Sequence, residues 1–250
     1  MVYEFQKFRT FQKVLFGTQM IGSLLGEGAY GEVRKGLWKK KVCAIKTIKS
    51  SKHSYFNGIN ETKILQALQG DPYIIKYFGI IEDVEKFQFA LELYPSSLSQ
   101  FLRTNQRISM VLIKRILSQI LSGLKFAHKK QIYHGDLAPR NILINTEKIA
   151  ISDWGSADTF RLESEKGKQF CKKQDLVEVG KIFLELLSLS HYVIPWDNQK
   201  ITQWLQKLLG ERRLTRLGEG FDLLRRLINP DDYSIVNVED ALNHPWLLSP

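Results

Sequence analysis

The chain has 250 residues, 44% of them hydrophobic and 25% charged, the balance of a folded globular domain and not of a disordered or membrane-embedded one. Its 36 Lys and Arg against 26 Asp and Glu leave a net charge of +10, but the cations are scattered (Lys39 to Lys41, Lys129 and Lys130, Arg212 and Arg213), so no single tract points to nucleic acid. Two cysteines, Cys43 and Cys171, are too few for a disulfide framework and lack metal-ligand spacing, and Met1 to Thr10 carry Glu4, Lys7 and Arg9 without the apolar core of a secretory signal, so a reducing, cytoplasmic setting is expected.

No apolar run reaches membrane-spanning length, and no repeat or low-complexity stretch marks a linker, so residues 1–250 read as one continuous domain. Between Met20 and Lys49 the pattern is strand, glycine turn, strand, turn, strand. In NETKILQALQG, Ile64, Leu65 and Leu68 repeat at three and four, which predicts a helix closed by Gly70 and Pro72. Strands are expected near Ile74 to Ile81 and Phe87 to Leu93. Beyond Pro95 the pattern turns helical: Ile113, Ile116, Leu117, Ile120, Leu121 and Leu124 make one apolar stripe, and Leu176, Val179, Phe183, Leu184 and Leu187 make another. Two short strands, NILIN and KIAIS, lie between these helices. Further helices are expected up to HPWLL, with Pro245 ending the last.

Three segments carry chemistry. GEGAYGEV (Gly26 to Val33) is a G-x-G-x-x-G turn, but EVRKGLW after it reads as a returning strand and not as the helix a dinucleotide fold requires. What remains is a flap whose N–H groups and missing side chains suit close approach to phosphates. Lys46 ends the apolar strand VCAIK, and Glu61 sits on the following helix, where it can supply the counter-charge a buried ammonium needs. In YHGDLAPRNILI, Asp136 can orient and deprotonate a hydroxyl while the amide oxygen of Asn141 suits Mg²⁺; Asp153 in ISDWG offers a second hard oxygen ligand. Trp154 is expected to be packed against the helix bearing Glu61.

With these motifs in this order, residues 20–248 resemble the eukaryotic-type protein kinase family. The resemblance implies an α+β, two-lobed fold, with a mainly β first lobe at 1–91, a hinge at 92–95 and a mainly α second lobe at 96–250. It implies ATP and Mg²⁺ as co-substrate and metal, and a protein substrate. Carried over by position, Gly26, Gly28 and Gly31 form the glycine loop, and Val33, Ala44, Leu91, Glu92, Tyr94 and Leu143 surround the adenine. Lys46 and Glu61 match the strand lysine and its helix partner. Asp136 matches the catalytic aspartate, with Arg140 near the departing phosphate, and Asn141 and Asp153 match the metal ligands. Asp175, opening a helix with Gly180, resembles the buried aspartate that braces the catalytic loop.

The chain also departs from the family pattern. Gly135 stands where an arginine usually receives an activation-loop phosphate. Only 21 residues (154 to 174) separate Asp153 from Asp175, no Ala-Pro-Glu-like triplet lies among them, and NPDDYSIVNVEDAL lacks the arginine that would pair with it. Switching by loop phosphorylation is therefore not expected; activity that is constitutive or governed by an activating protein partner is. Ala138 departs from the Ser/Thr type and Arg140 matches the tyrosine type, whereas Pro139 leans back to Ser/Thr, which is favoured by default. Two alternatives stay open: a small-molecule kinase, since HGD…N and DWG also resemble aminoglycoside and choline kinases, and a pseudokinase that acts by binding alone.

Overall fold

The computed structural model describes residues 19–28, 31–49, 52–81, 86–105, 107–159, 164–188, 219–229 and 237–249. The basic start of the chain, the helices expected between 189 and 218, and residues 230–236 of the arginine-free stretch lie outside these. The chain divides into two compact units, Met1–Gly70 with Ile75–Pro95, and Asp71–Ile74 with Ser96–Pro250.

The first unit holds β1 (Gln19–Glu27), β2 (Gly31–Trp38), β3 (Lys41–Ile48), α1 (Lys52–Ala67), β4 (Tyr77–Ile81) and β5 (Gln88–Leu91). The strands form one antiparallel sheet in the order β1-β2-β3-β5-β4. Because strand side chains alternate, β3 divides its residues between two faces. Cys43 and Ile45 pack with Ile81 and Ala90, flanked by Trp38 and Phe78. Ala44 and Lys46 take the other face, in register with Leu91 and Phe89 of β5, and Lys46 also lies beside Val33 of β2. The α1 helix covers that face.

The α1 helix begins at Lys52, well ahead of the apolar repeat that predicts a start near Asn60. Tyr55 and Phe56 near its start are exposed, so they add no helical stripe to the sequence. Gln69 secures the far end: its amide nitrogen donates to the Leu65 and Ile75 carbonyls at 2.9 and 3.2 Å, and its oxygen accepts from the Tyr77 N–H at 3.0 Å.

The second unit runs β6 (Ser96–Ser97), α2 (Leu98–Thr104), α3 (Met110–Lys129), β7 (Ile132–Tyr133), β8 (Ile142–Ile144), β9 (Ile149–Ile151), β10 (Asp158–Thr159), α4 (Glu165–Ser188), α5 (Glu219–Ile228), α6 (Val238–Leu242) and α7 (Pro245–Leu248). The α3 helix is capped by Ser109, whose hydroxyl accepts from the Leu112 N–H at 3.2 Å, and all six stripe residues from Ile113 to Leu124 are buried. Each such side chain contributes about 1.5–3 kcal/mol on burial, so this stripe alone explains why α3 forms the core of the unit.

Two sequence expectations need correction. Pro245 opens α7 instead of ending a helix; at the first helical position its missing N–H costs nothing, since that N–H would have no intrahelical acceptor. Asp175 lies inside α4 and does not open it. The helix starts at Glu165, where the Ser164 hydroxyl accepts from the Gly167 N–H at 3.2 Å.

Gly180 lets α4 and α5 approach closely. A β-carbon there would lie 2.8 Å from Ile228 Cγ1 and 3.2 Å from the Ile228 backbone nitrogen. Gly180→Val should therefore destabilise the fold by about 3 kcal/mol through overpacking, read as a lower denaturation midpoint at unchanged m-value.

Candidate functional site

In the first unit, β3 and α1 bring Lys46 and Glu61 together. Both Glu61 carboxylate oxygens lie 2.8 Å from Lys46 Nζ, with the two side chains only 11% and 3% exposed. The Phe89 ring lies beside the ammonium, 5.9 Å from Nζ. Desolvating such a pair offsets most or all of its Coulombic gain, and a well-packed apolar pair would serve stability at least as well. A buried, doubly bonded ion pair therefore points to a chemical role.

The glycine turn divides into two kinds of position. Gly31 is dictated by the sheet: a β-carbon there would collide with the Thr47 carbonyl oxygen of the neighbouring strand. Gly26 and Gly28 have no such neighbour, and β-carbons on them would point into open space, which leaves room for a ligand against the backbone. The turn is tied by the Gly28 N–H donating to the Gly31 carbonyl at 2.9 Å, and Lys49 Nζ donates to the Gly28 carbonyl at 3.0 Å. Lys49 was not singled out from the sequence, because a lysine just past a strand end carries no signal of its own.

At the end of β5 the Glu92 N–H donates to the Lys76 carbonyl at 2.8 Å. Burial, with the Glu92 carboxylate beside it, pushes the Tyr94 phenol well above its usual range. Leu91 is buried, Ala44 lies opposite it, and Leu143, in the second unit, is partly exposed on β8 between Ser97 and Ala150.

The second unit gathers Asp136, Arg140, Asn141 and Asp153 on the loops around β8 and β9. Asp175, 1% exposed, anchors them. Its Oδ2 accepts from the His134 N–H at 3.0 Å and from His128 Nε2 at 2.8 Å, and its Oδ1 accepts from the Gly135 N–H at 3.2 Å. His134 extends the network. Its Nδ1 accepts from the Asp136 N–H at 3.2 Å, so Nε2 carries the proton and donates to the Ser152 carbonyl at 3.0 Å. Trp154 is fully buried and its ring lies 4.6 Å from that of His134.

Asp136 is held on both carboxylate oxygens, by Arg140 at 2.6 Å on Oδ1 and by Asn141 Nδ2 at 3.2 Å on Oδ2. Asn141 Nδ2 also donates to the Asp136 carbonyl at 2.7 Å, which fixes the amide orientation and turns Oδ1 away as the end suited to a cation. Ser152 secures Asn141 from the other strand, donating to its carbonyl from N–H at 2.8 Å and from the hydroxyl at 2.9 Å. Asp153 follows in the left-handed region (φ 59°, ψ 66°), a conformation non-glycine residues adopt mainly where the surroundings demand it. An amide oxygen and a carboxylate form a hard-oxygen set that fits Mg²⁺, which keeps most of its shell as water and phosphate.

Gly135 has φ +76°, and a β-carbon on it would lie 2.9 Å from the Ser156 carbonyl. Any side chain at this position would be strained, so its glycine is the relaxed choice for the loop.

A family model described as "Protein kinase domain" matches residues 20–177, more than half of the chain. The chain belongs to the protein kinase domain family. Its antiparallel sheet unit and helical unit are the α+β, two-lobed composition of that fold. Similar proteins include CDPK-related kinase 4 of Arabidopsis thaliana (25% identical over 95% of this chain and 46% of that protein) and serine/threonine-protein kinase grp of Drosophila melanogaster (26%, covering 90% and 50%). Homeodomain-interacting protein kinase 4 of Homo sapiens is 30% identical over 70% of this chain and 33% of its own length. The kinase domain spans half or less of the length of these relatives. No helix among the described residues is long and apolar enough to cross a membrane.

Replacing Asp175 by Asn keeps one acceptor oxygen and turns an amide nitrogen towards at least one of the three donors that now share the carboxylate. Asp175→Asn should cost about 2–3 kcal/mol of stability and lower the thermal midpoint, a loss that Asp240→Asn at the exposed α6 start should not approach.

Proposed function

We propose that this kinase domain transfers the γ-phosphate of ATP to a hydroxyl of a protein, with Ser or Thr favoured over Tyr. The observation that carries this reading is Asp136, held on both carboxylate oxygens by Arg140 and Asn141 of its own loop. A carboxylate oriented in this way can accept the proton of an incoming hydroxyl as its oxygen bonds to phosphorus and the bond to the ADP oxygen breaks.

In this mechanism Lys46, kept in place by Glu61, binds the α- and β-phosphate oxygens. The backbone at Gly26, Gly28 and Gly31 covers the phosphates, with Val33, Ala44, Leu91 and Leu143 against the adenine and the Glu92 and Tyr94 backbone meeting its edge. Asn141 Oδ1 and the Asp153 carboxylate would hold Mg²⁺, which neutralises phosphate charge when bound. Arg140, 56% exposed and already on Asp136, can stabilise the departing phosphoryl group. With glycine at 135, no guanidinium at that position can answer a loop phosphate, so activity is constitutive or set by a protein partner.

Lys46→Met and Asp153→Asn should each lower kcat by about 10²–10⁴-fold while melting within a few degrees of the parent, measured with labelled ATP and Mg²⁺ on a protein extract. Asp136→Asn should do the same, and a biological effect that survives it would replace the enzyme reading with a docking one. Phosphatase treatment should leave turnover unchanged. A labelled small molecule with no labelled protein would redirect the assignment to a small-molecule kinase.

A further inference from the structure

Gly28, at the tip of the glycine turn, is tied in two ways. One bond is local, from its own N–H to the Gly31 carbonyl at 2.9 Å. The other crosses from the end of β3, where Lys49 Nζ donates to the Gly28 carbonyl at 3.0 Å. That ammonium forms no ion pair among the described residues, so its bond is made to a neutral backbone acceptor and not to a carboxylate. Such a bond neutralises no charge; what it fixes is the direction of one carbonyl. Glycine makes that direction otherwise free, since a β-carbon on Gly28 would meet nothing and the residue reaches positive and negative φ with similar ease.

The direction follows from the sheet. From Lys41 to Ile48, β3 pairs with β2 without a break in register, so its side chains alternate throughout. Ala44, Lys46 and Ile48 share the face that α1 covers, and Ile48 Cγ1 lies against that helix, 2.8 Å from where a β-carbon on Gly58 would stand. Lys49, next in the chain, continues the alternation on the opposite face with Cys43, Ile45 and Thr47. A donor meets a carbonyl oxygen on the side to which the carbonyl points, so the Gly28 carbonyl is drawn towards the Lys49 face. In a trans peptide the N–H of the same peptide unit points the other way, towards the face that carries Lys46.

We infer that Lys49 is a positioning residue for the nucleotide: by holding the Gly28 carbonyl outward, it aims the N–H of that peptide unit at the phosphates bound by Lys46. The inference rests on the ATP reading and adds a residue to it. The two lysines then divide the work, Lys46 meeting phosphate with its own charge and Lys49 acting through the backbone of the flap.

The test is isothermal titration calorimetry on the full chain with Mg²⁺, with ADP and adenosine as probes. Lys49→Met should weaken ADP binding about three- to tenfold and leave adenosine within about twofold, because adenosine offers no phosphate for the N–H to meet. Lys49→Arg keeps a charged donor and should return ADP affinity to within about twofold of the parent. The ADP loss in Lys49→Met should keep its size from low to high salt, since it passes through a backbone orientation, whereas a charge acting on phosphate through solvent would be screened. In the kinetic assay the loss should fall on KM for ATP and not on kcat, the pattern of an interaction made equally in the ground and transition states. A Lys49→Met chain that binds ADP as the parent does, an equal loss for ADP and adenosine, or a loss that vanishes at high salt would each overturn the inference while leaving the ATP reading in place. A parent chain with no affinity for ADP would refute the ATP reading, and the inference with it.

Discussion

The carboxylate of Asp175 is the constraint from which the loops of the second unit are built. It is buried, and a buried carboxylate is tolerable only when its lone pairs are taken up by donors. It receives three, two of them main-chain N–H groups of His134 and Gly135. Fixing those two residues fixes the His134 ring, whose two nitrogens then bind the Asp136 N–H and the Ser152 carbonyl. Ser152 in turn holds Asn141, and Asn141 returns to Asp136. The network closes on itself, so the orientation of Asp136 is set by donors and acceptors across two loops and one helix.

The first unit solves a different problem. Its sheet could bury Lys46 and Glu61 only because the two meet with good geometry, since the loss of hydration is of the same order as the attraction gained. Sheet alternation decides that Lys46 faces α1 while Cys43 and Ile45 enter the opposite cluster. A one-residue slip of β3 would exchange these faces and strand the ammonium among apolar side chains. The steric demand at Gly31, where no β-carbon fits against Thr47, works against such a slip. The register that positions Lys46 is thus secured by a backbone contact as well as by hydrophobic pattern.

Where a residue's role depends on its own side chain in a periodic element, the sequence made it legible. The α3 stripe, the β3 strand and the Lys46 and Glu61 pairing follow from alternation and from the need of a buried charge for a counter-ion. What escaped depends on surface position or on backbone. Tyr55 and Phe56 of α1 and Phe170 of α4 are exposed and add nothing to a helical period, and both helices begin earlier than their buried apolar residues suggest. Pro245 follows one short helix closely and opens the next, and only the His244 cap decides between those roles. Lys49 reaches a glycine carbonyl more than twenty positions away in the chain, a pairing no local spacing announces. Gly135 read as the loss of an arginine, yet its positive φ shows a loop geometry that glycine satisfies without strain.

That backbone dependence leaves much of the sequence around these loops unconstrained by the hydrogen bonds that hold them. The backbone groups in the key hydrogen bonds are the His134, Gly135 and Asp136 N–H donors and the Asp136, Asn141 and Ser152 carbonyl acceptors, which nearly any residue could supply. Only the side-chain ends of those bonds restrict sequence: Asp175, His134, Asn141 and Ser152, with Asp136 and Arg140 for the pair they form. A handful of side chains therefore holds the loops through backbone groups that any sequence supplies.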